Sequence, residues 1–119
     1  MISNELRIWN LIAYNGINCT VEVINGEVDE VYILGDDFYY GINIGEIEPI
    51  PLTEEWLLKF GFIKSLDEYG GYLKELPNGN KYRIKNNTYS TQHFEVKFEY
   101  VHQLQNFHFS ITNEELKIN

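Results

Sequence analysis

The sequence predicts a small α+β protein: a strongly bent antiparallel sheet or SH3-like barrel in the N-terminal half, joined to a second antiparallel hairpin sheet with two short helices. Three observations predict it. Runs of about five residues alternate between apolar and polar side chains through the first half, separated by Asn-Gly and Gly-Asp-Asp turns. The stretch 52–61 carries helix punctuation at both ends. Near residue 101 the apolar period changes from that of a strand to that of a helix.

The elements follow in order. Leu6, Ile8, Asn10 and Ile12 alternate with Arg7, Trp9 and Leu11, an imperfect strand pattern. Asn15-Gly16 comes next, a pair that tolerates the positive φ a tight hairpin turn needs at both central positions. Cys19, Val21 and Val23 alternate with Asn18, Thr20 and Glu22, and Asn25-Gly26 closes that strand. A more apolar strand over 31–34 stops at Gly35-Asp36-Asp37; a fourth runs over 38–44, and Glu46-Ile47-Glu48 is a short fifth. Pro49 and Pro51 lack ladder donors and mark a joint between two half-sheets. Thr53 is a good N-cap, Glu54 and Glu55 suit the positive end of the helix dipole, and Leu52 with Leu57 forms a hydrophobic staple. Trp56, Leu57 and Phe60 make the buried stripe, and Gly61 takes the left-handed cap with Phe62 packing back on Leu57.

In the second half, 62–66 and 72–76 are strand candidates around a turn at 67–71, and 77–80 is a turn by composition. Tyr82-Arg83-Ile84 is short, and 86–92 reads as a polar, mobile loop. Phe94, Val96, Phe98 and Tyr100 alternate with Glu95, Lys97 and Glu99 in the cleanest strand pattern of the chain. Val101, Leu104, Phe107 and Ile111 then fit one helix face, with Asn113 able to accept the left-handed cap. The alternative for 101–111 is a continued strand with His102, Leu104 and His108 on one face; the helix is preferred. The expected organisation is a single domain over 1–119: a β-rich acidic half (1–48), a short helix (52–61), and hairpins plus a C-terminal helix (62–119).

A chain of 119 residues that is 44% hydrophobic and 15% aromatic excludes disordered and collagen-like classes. No apolar run is long enough to span a membrane, residues 1–5 show no secretory leader, and the single Cys19 suits a reducing compartment, so a cytoplasmic protein is expected. The net charge of −9 is lopsided: residues 1–60 hold 11 of the 18 acids and two of the nine bases, so all of it sits there. That sign is wrong for direct nucleic-acid or anionic-membrane binding, whose affinity comes from neutralising phosphates. It suits a basic protein surface, which a negative field attracts and steers.

Motifs for chemistry are weak. His93, His102 and His108 lack the spacing of a zinc site, and no Cys-x-x-Cys, P-loop, Gly-x-Ser-x-Gly or dinucleotide fingerprint occurs. Cys19 has no neighbouring base and reads as a buried inert thiol. Adjacent Asp36-Asp37 and Glu54-Glu55 read as solvated rather than catalytic. No catalytic residue, metal or cofactor is therefore expected. The aromatics are more informative. Nine Tyr, seven Phe and two Trp exceed what such a core needs, and Phe38-Tyr39-Tyr40 directly follows Asp36-Asp37. An aromatic patch rimmed by acids fits a partner carrying Arg or Lys.

Three stretches also carry a resemblance: Asn4-Glu5-Leu6-Arg7-Ile8; Glu46-Ile47-Glu48-Pro49-Ile50-Pro51-Leu52-Thr53-Glu54-Glu55-Trp56-Leu57-Leu58-Lys59-Phe60-Gly61-Phe62; and Tyr100-Val101-His102-Gln103-Leu104-Gln105-Asn106 through Glu114-Glu115-Leu116. They resemble a family of small acidic proteins from phages, prophages and mobile elements of Bacteroidota. That family carries no established enzymatic activity, so the resemblance implies no catalytic residues. The chain departs from it at Trp9 and Asn113, where glycine is expected, and Trp9 reads as an added contact residue. Small prophage proteins of this kind resemble anti-defence proteins, anti-CRISPR inhibitors among them.

The expectation is a non-enzymatic phage or prophage accessory protein that binds and inhibits a host defence effector, such as an RNA-guided CRISPR nuclease with its basic channel. The expected binding face is Asp29, Glu30, Asp36, Asp37, Phe38, Tyr39 and Tyr40, with Trp9 as an outlier. Alternatives are a sponge for a nucleotide immune signal, using tyrosines with Lys81, Arg83 and Lys85; a hydrolase with a carboxylate pair; and a phage-replication accessory protein. The sequence leaves oligomeric state and partner identity open.

Overall fold

The computed structural model describes residues 6–25, 30–34 and 39–118. It is an α+β fold of antiparallel sheets and two helices, as the patterning predicts. Four strands, β1 (Leu11–Tyr14), β2 (Ile17–Asn25), β3 (Glu30–Leu34) and β4 (Tyr39–Asn43), form a meander in sequential order. Its first turn is Asn15-Gly16, with φ of 50° and 76°, the mirror-image turn that follows the natural twist of the strands. After β4 a 3-10 turn (Ile44–Glu46) is capped by Asn43, whose side-chain oxygen accepts the Gly45 N–H at 2.8 Å. The chain then returns to β1, where Ala13 and Glu48 exchange two backbone hydrogen bonds of 2.8 Å. The meander thereby closes on its own first strand. Inside it pack Leu6, Ile12, Val21, Ile42, Ile44 and Ile47.

The second half is built on α1 (Glu54–Lys59), a sheet of β5 (Ile63–Lys64), β6 (Tyr72–Glu75) and β7 (Lys81–Ile84), a hairpin of β8 (Thr88–Ser90) and β9 (Glu95–Lys97), and α2 (Val101–Thr112). Helix α1 is far too short to form alone. Its ends are satisfied locally: Thr53 Oγ1 accepts the Trp56 N–H at 3.4 Å, and the N–H groups of Gly61 and Phe62 donate back to Leu58 and Leu57 at 3.0 Å. Its stability comes from burying Leu57, with Phe60 just beyond its last turn, each worth about 2–3 kcal/mol. They join Ile50, Leu52, Phe62, Tyr82, Ile84, Phe98, Val101, Leu104 and Leu116 in a second core. The first core ends at Ile47 and the second begins at Ile50, either side of Pro49. Helix α2 starts with Gln103 Oε1 accepting the N–H groups of Glu99 and Tyr100, and ends at Asn113 in left-handed geometry, φ 59°. The helix reading of 101–111 holds, and the strand alternative falls.

Four expectations need correction. Residues 6–10 are not strand: Asn10 turns back on Arg7 through its backbone N–H at 3.0 Å and its side-chain oxygen at 2.6 Å, and β1 starts only at Leu11. The short fifth strand is reduced to the Glu48 bridge after the 3-10 turn. The loop expected at 86–92 contains β8, because Asn86 and Asn87 both take positive φ and make a tight hairpin bridged from Lys85 to Thr88. The long strand expected over 94–100 is a continuous ladder only over Glu95–Lys97; Tyr100 adds an isolated antiparallel bridge to Pro51, and Phe98 between them is buried against Phe107.

Candidate functional site

The two halves meet along a polar seam made by residues 7–11, α2 and the segment after it. Arg7 is its centre. Its Nε donates to Asn106 Oδ1 at 2.9 Å, and its two terminal nitrogens reach the Glu115 carboxylate at 2.5 and 3.2 Å. A further bond goes to the Gln105 carbonyl at 3.3 Å, and the guanidinium lies 4.3 Å from the centre of the Phe109 ring. Asn10, fully buried, donates its side-chain N–H to the same Asn106 oxygen at 2.8 Å. Gln105 takes the Leu11 N–H at 2.8 Å and donates to the Trp9 carbonyl at 3.3 Å. Buried amides thus satisfy the backbone where the strand pattern breaks.

Trp9 is held out from this seam. Its φ is 80°, its N–H donates to Val21 O at 2.7 Å, and its side chain is 56% exposed. Asn113, the other position at which the resemblance leads to glycine, is left-handed too. Trp9 borders a groove of about 390 Å³ with Leu11, Phe60, Gln105, Leu116 and Ile118. Glu30, the first residue of β3, is partly buried with its carboxylate over Gly41. It pairs with Asn25, four residues along β2 from Val21, so about 13 Å of strand separates it from the level of Trp9. Asp29, Asp36, Asp37 and Phe38 lie outside the described residues, as do the side chains of Tyr39 and Tyr40, whose backbones pair with Leu34 and Ile33.

The charge distribution sharpens. Both bases of the first sixty residues are engaged: Arg7 by Glu115, and Lys59 by Glu55 at 3.6 Å. Arg7–Glu115 is the one ion pair between the halves among the described residues, and it consumes a base of the acidic half. Glu46 and Glu48 are exposed, with no ion pair among the described residues.

Other reactive groups are placed as follows. His108 Nδ1 is 2.7 Å from the Tyr82 hydroxyl in the second core. Burial, then the nearby Lys74, lowers the His108 pKa, while burial raises that of Tyr82. Burial also raises the Cys19 thiol, whose Sγ lies 3.4 Å from the Ile17 carbonyl. Arg83 and Lys85 line one groove with Tyr69, but Arg83 is bound by Asp67 at 2.8 and 3.1 Å and by the Gly70 carbonyl, and Glu95 faces the same space. This hydrogen bonding holds the Asp67 carboxyl down at about 2. Among the described residues no group of three or more His, Cys, Asp or Glu could hold a metal ion, and no helix is long and apolar enough to cross a membrane.

Sequence reasoning missed Arg7, Gln105, Asn106 and Glu115 as a unit. One signal was available: an isolated arginine in a stretch otherwise nearly devoid of bases needs a partner. No family model matches the chain, and no curated protein or solved structure matches it significantly.

Proposed function

We propose that this is a non-enzymatic accessory protein of phage or prophage type that binds a basic surface on a host defence effector, an RNA-guided CRISPR nuclease being the target to test. The observation that carries the reading is the unrelieved charge of the first half. Its only two bases are already held by carboxylates, which leaves no base of that half to offset exposed acids such as Glu46 and Glu48. Such a field speeds encounter with a cationic partner and repels nucleic acid. The phage and anti-defence assignment rests on the resemblance of the three quoted stretches. Asp29, Glu30, Asp36, Asp37, Phe38, Tyr39 and Tyr40 remain the proposed contact face, with the partner an effector protein rather than its guide RNA.

The test is nuclease inhibition measured against salt. Added protein should slow target cleavage, and inhibition should weaken as salt screens the exposed charges. Asp36→Lys combined with Asp37→Lys should abolish it while far-UV circular dichroism stays unchanged, and Glu46→Lys with Glu48→Lys should weaken it. Inhibition that survives both charge reversals, or an effector indifferent to the protein, overturns the reading.

A further inference from the structure

Strands β7 and β8 divide their side chains between two faces, as the strand period requires. Tyr82 and Ile84 are buried in the second core, and Tyr89 packs against it. Arg83, Thr88 and Ser90 alternate with them and line a groove of about 570 Å³ together with Lys85, just past β7. Tyr69 and Glu95 complete its sides, and no residue of the acidic first half lines it. Its volume falls within the ligand-pocket range.

One wall is aromatic and fixed. Tyr69 is 63% exposed, in the turn between β5 and β6. Asp67 Oδ1 accepts the N–H groups of Tyr69 and Gly70 at 3.0 and 3.3 Å. Arg83 clamps the same carboxylate and the Gly70 carbonyl, and its guanidinium lies over the Tyr69 ring, 5.6 Å from the centre. Gly71 presses the turn onto β7, so closely that a Cβ there would lie 2.7 Å from the Ile84 carbonyl. The ring is thus positioned before any ligand arrives, which lowers the ordering cost of binding.

The rest of the lining is polar. Asn87 donates to the Leu52 carbonyl at 3.1 Å, which anchors the left-handed Asn86-Asn87 turn and leaves exposed Asn86 at the groove. The Thr88 hydroxyl donates to the Asn86 carbonyl at 3.1 Å, so its oxygen is left to accept. Arg83 is neutralised by Asp67, while Lys85 and Glu95 have no ion pair among the described residues. One free charge of each sign remains, so the groove selects neither an anion nor a cation: a phosphate meets Glu95 and an ammonium meets Lys85. The lining matches a neutral molecule with one face of C–H groups and a rim of hydroxyls. The C–H groups suit the negative face of an aromatic ring, and hydroxyls both donate and accept, so they serve Glu95, Lys85 and Asn86 alike.

We propose that this groove binds a neutral saccharide, with one sugar ring stacked on Tyr69 and its hydroxyls bonded by Lys85, Asn86, Ser90 and Glu95. This site is additional to the acidic face and does not rest on the reading of that face.

The test is a two-dimensional NMR titration of the full chain with cellotriose, maltotriose and chitotriose, and with guanosine monophosphate and inorganic phosphate as anionic contrasts. At least one trisaccharide should shift the amides of Tyr69, Lys85, Asn86 and Ser90, with a Kd of about 1 mM. That affinity should be equal at low and high salt, because the ligand carries no charge. Tyr69→Ala should weaken binding at least about tenfold and Tyr69→Phe should retain it, with both variants melting like the parent. Glu95→Ala should weaken sugar binding and strengthen phosphate binding. No shift with any trisaccharide, shifts located elsewhere, undiminished binding by Tyr69→Ala, or phosphate or nucleotide bound more tightly than sugar by the parent chain would overturn the proposal. Asp36→Lys with Asp37→Lys should leave sugar binding unchanged, and Tyr69→Ala should leave nuclease inhibition unchanged, so the two readings fail separately.

Discussion

Arg7→Ala removes the cation at the centre of the seam and leaves the partly buried Glu115 carboxylate without its partner. The side chains of Arg7 and Glu115 are 27% and 18% exposed, so the pair is closer to an interior one than to a surface one. Orphaning one member of a fully buried pair costs about 3–5 kcal/mol. A solvent-exposed pair is worth at most about 1 kcal/mol. With roughly a quarter of each side chain in water, about 2–3 kcal/mol follows from these limits. In a chain this size each kcal/mol moves the melting temperature by about 4 °C, so a fall of about 8–12 °C is expected. Thermal and urea melts at pH 7 read it directly. The loss should change little between low and high salt, because partly buried pairs are poorly screened. In a double-mutant cycle with Glu115→Ala, the double variant should lose less than the sum of the singles. A fall of under about 2 °C, or strict additivity, would mean that the seam is surface decoration and the halves are held by apolar contact alone.

Two further predictions concern the second core. His108 is held below its ordinary pKa by burial and by Lys74, with Glu114 and Glu115 pulling the other way, so the unfolded chain binds its proton more readily. Stability should therefore be full above about pH 6.5 and fall as the pH drops below it, and this loss should be smaller in His108→Gln; identical pH profiles would refute it. Gly71 and Gly79 both have positive φ, 74° and 88°, but a Cβ on Gly71 would lie 2.7 Å from the Ile84 carbonyl, whereas one on Gly79 meets nothing within 4 Å. Urea melts should show Gly79→Ala losing about 1 kcal/mol and Gly71→Ala at least twice that; equal losses would show that the β6–β7 face yields.

The parts of the fold visible in the sequence are those in which local chemistry decides. Asn15-Gly16, Thr53, Gly61 and Asn113 each act through the backbone within a few residues, and each is found in its expected geometry. The misread parts are those in which a distant group overrides the local pattern. The alternation of 6–12 is genuine, yet Gln105 and Asn106, about a hundred positions away, supply hydrogen bonds that let residues 7–10 leave the extended state. The polar β8 gave no apolar alternation, and its Asn86-Asn87 turn carries the positive φ values usually announced by glycine. Of the expected contact face, Trp9 is exposed, and its setting was hidden from the sequence because the groove beside it is assembled from α2, Phe60 and the segment after α2.

The Arg7–Glu115 tie joins positions 108 apart, whereas hairpins such as β6–β7 join near neighbours. Closing so large a loop costs entropy that local hairpins do not face, which favours a tie made late in folding. Weakening it should then leave the rate of folding nearly unchanged and accelerate unfolding, a split that stopped-flow folding and unfolding rates of Arg7→Ala would read. On this account the seam sets how long the assembled molecule lasts rather than how quickly it is reached.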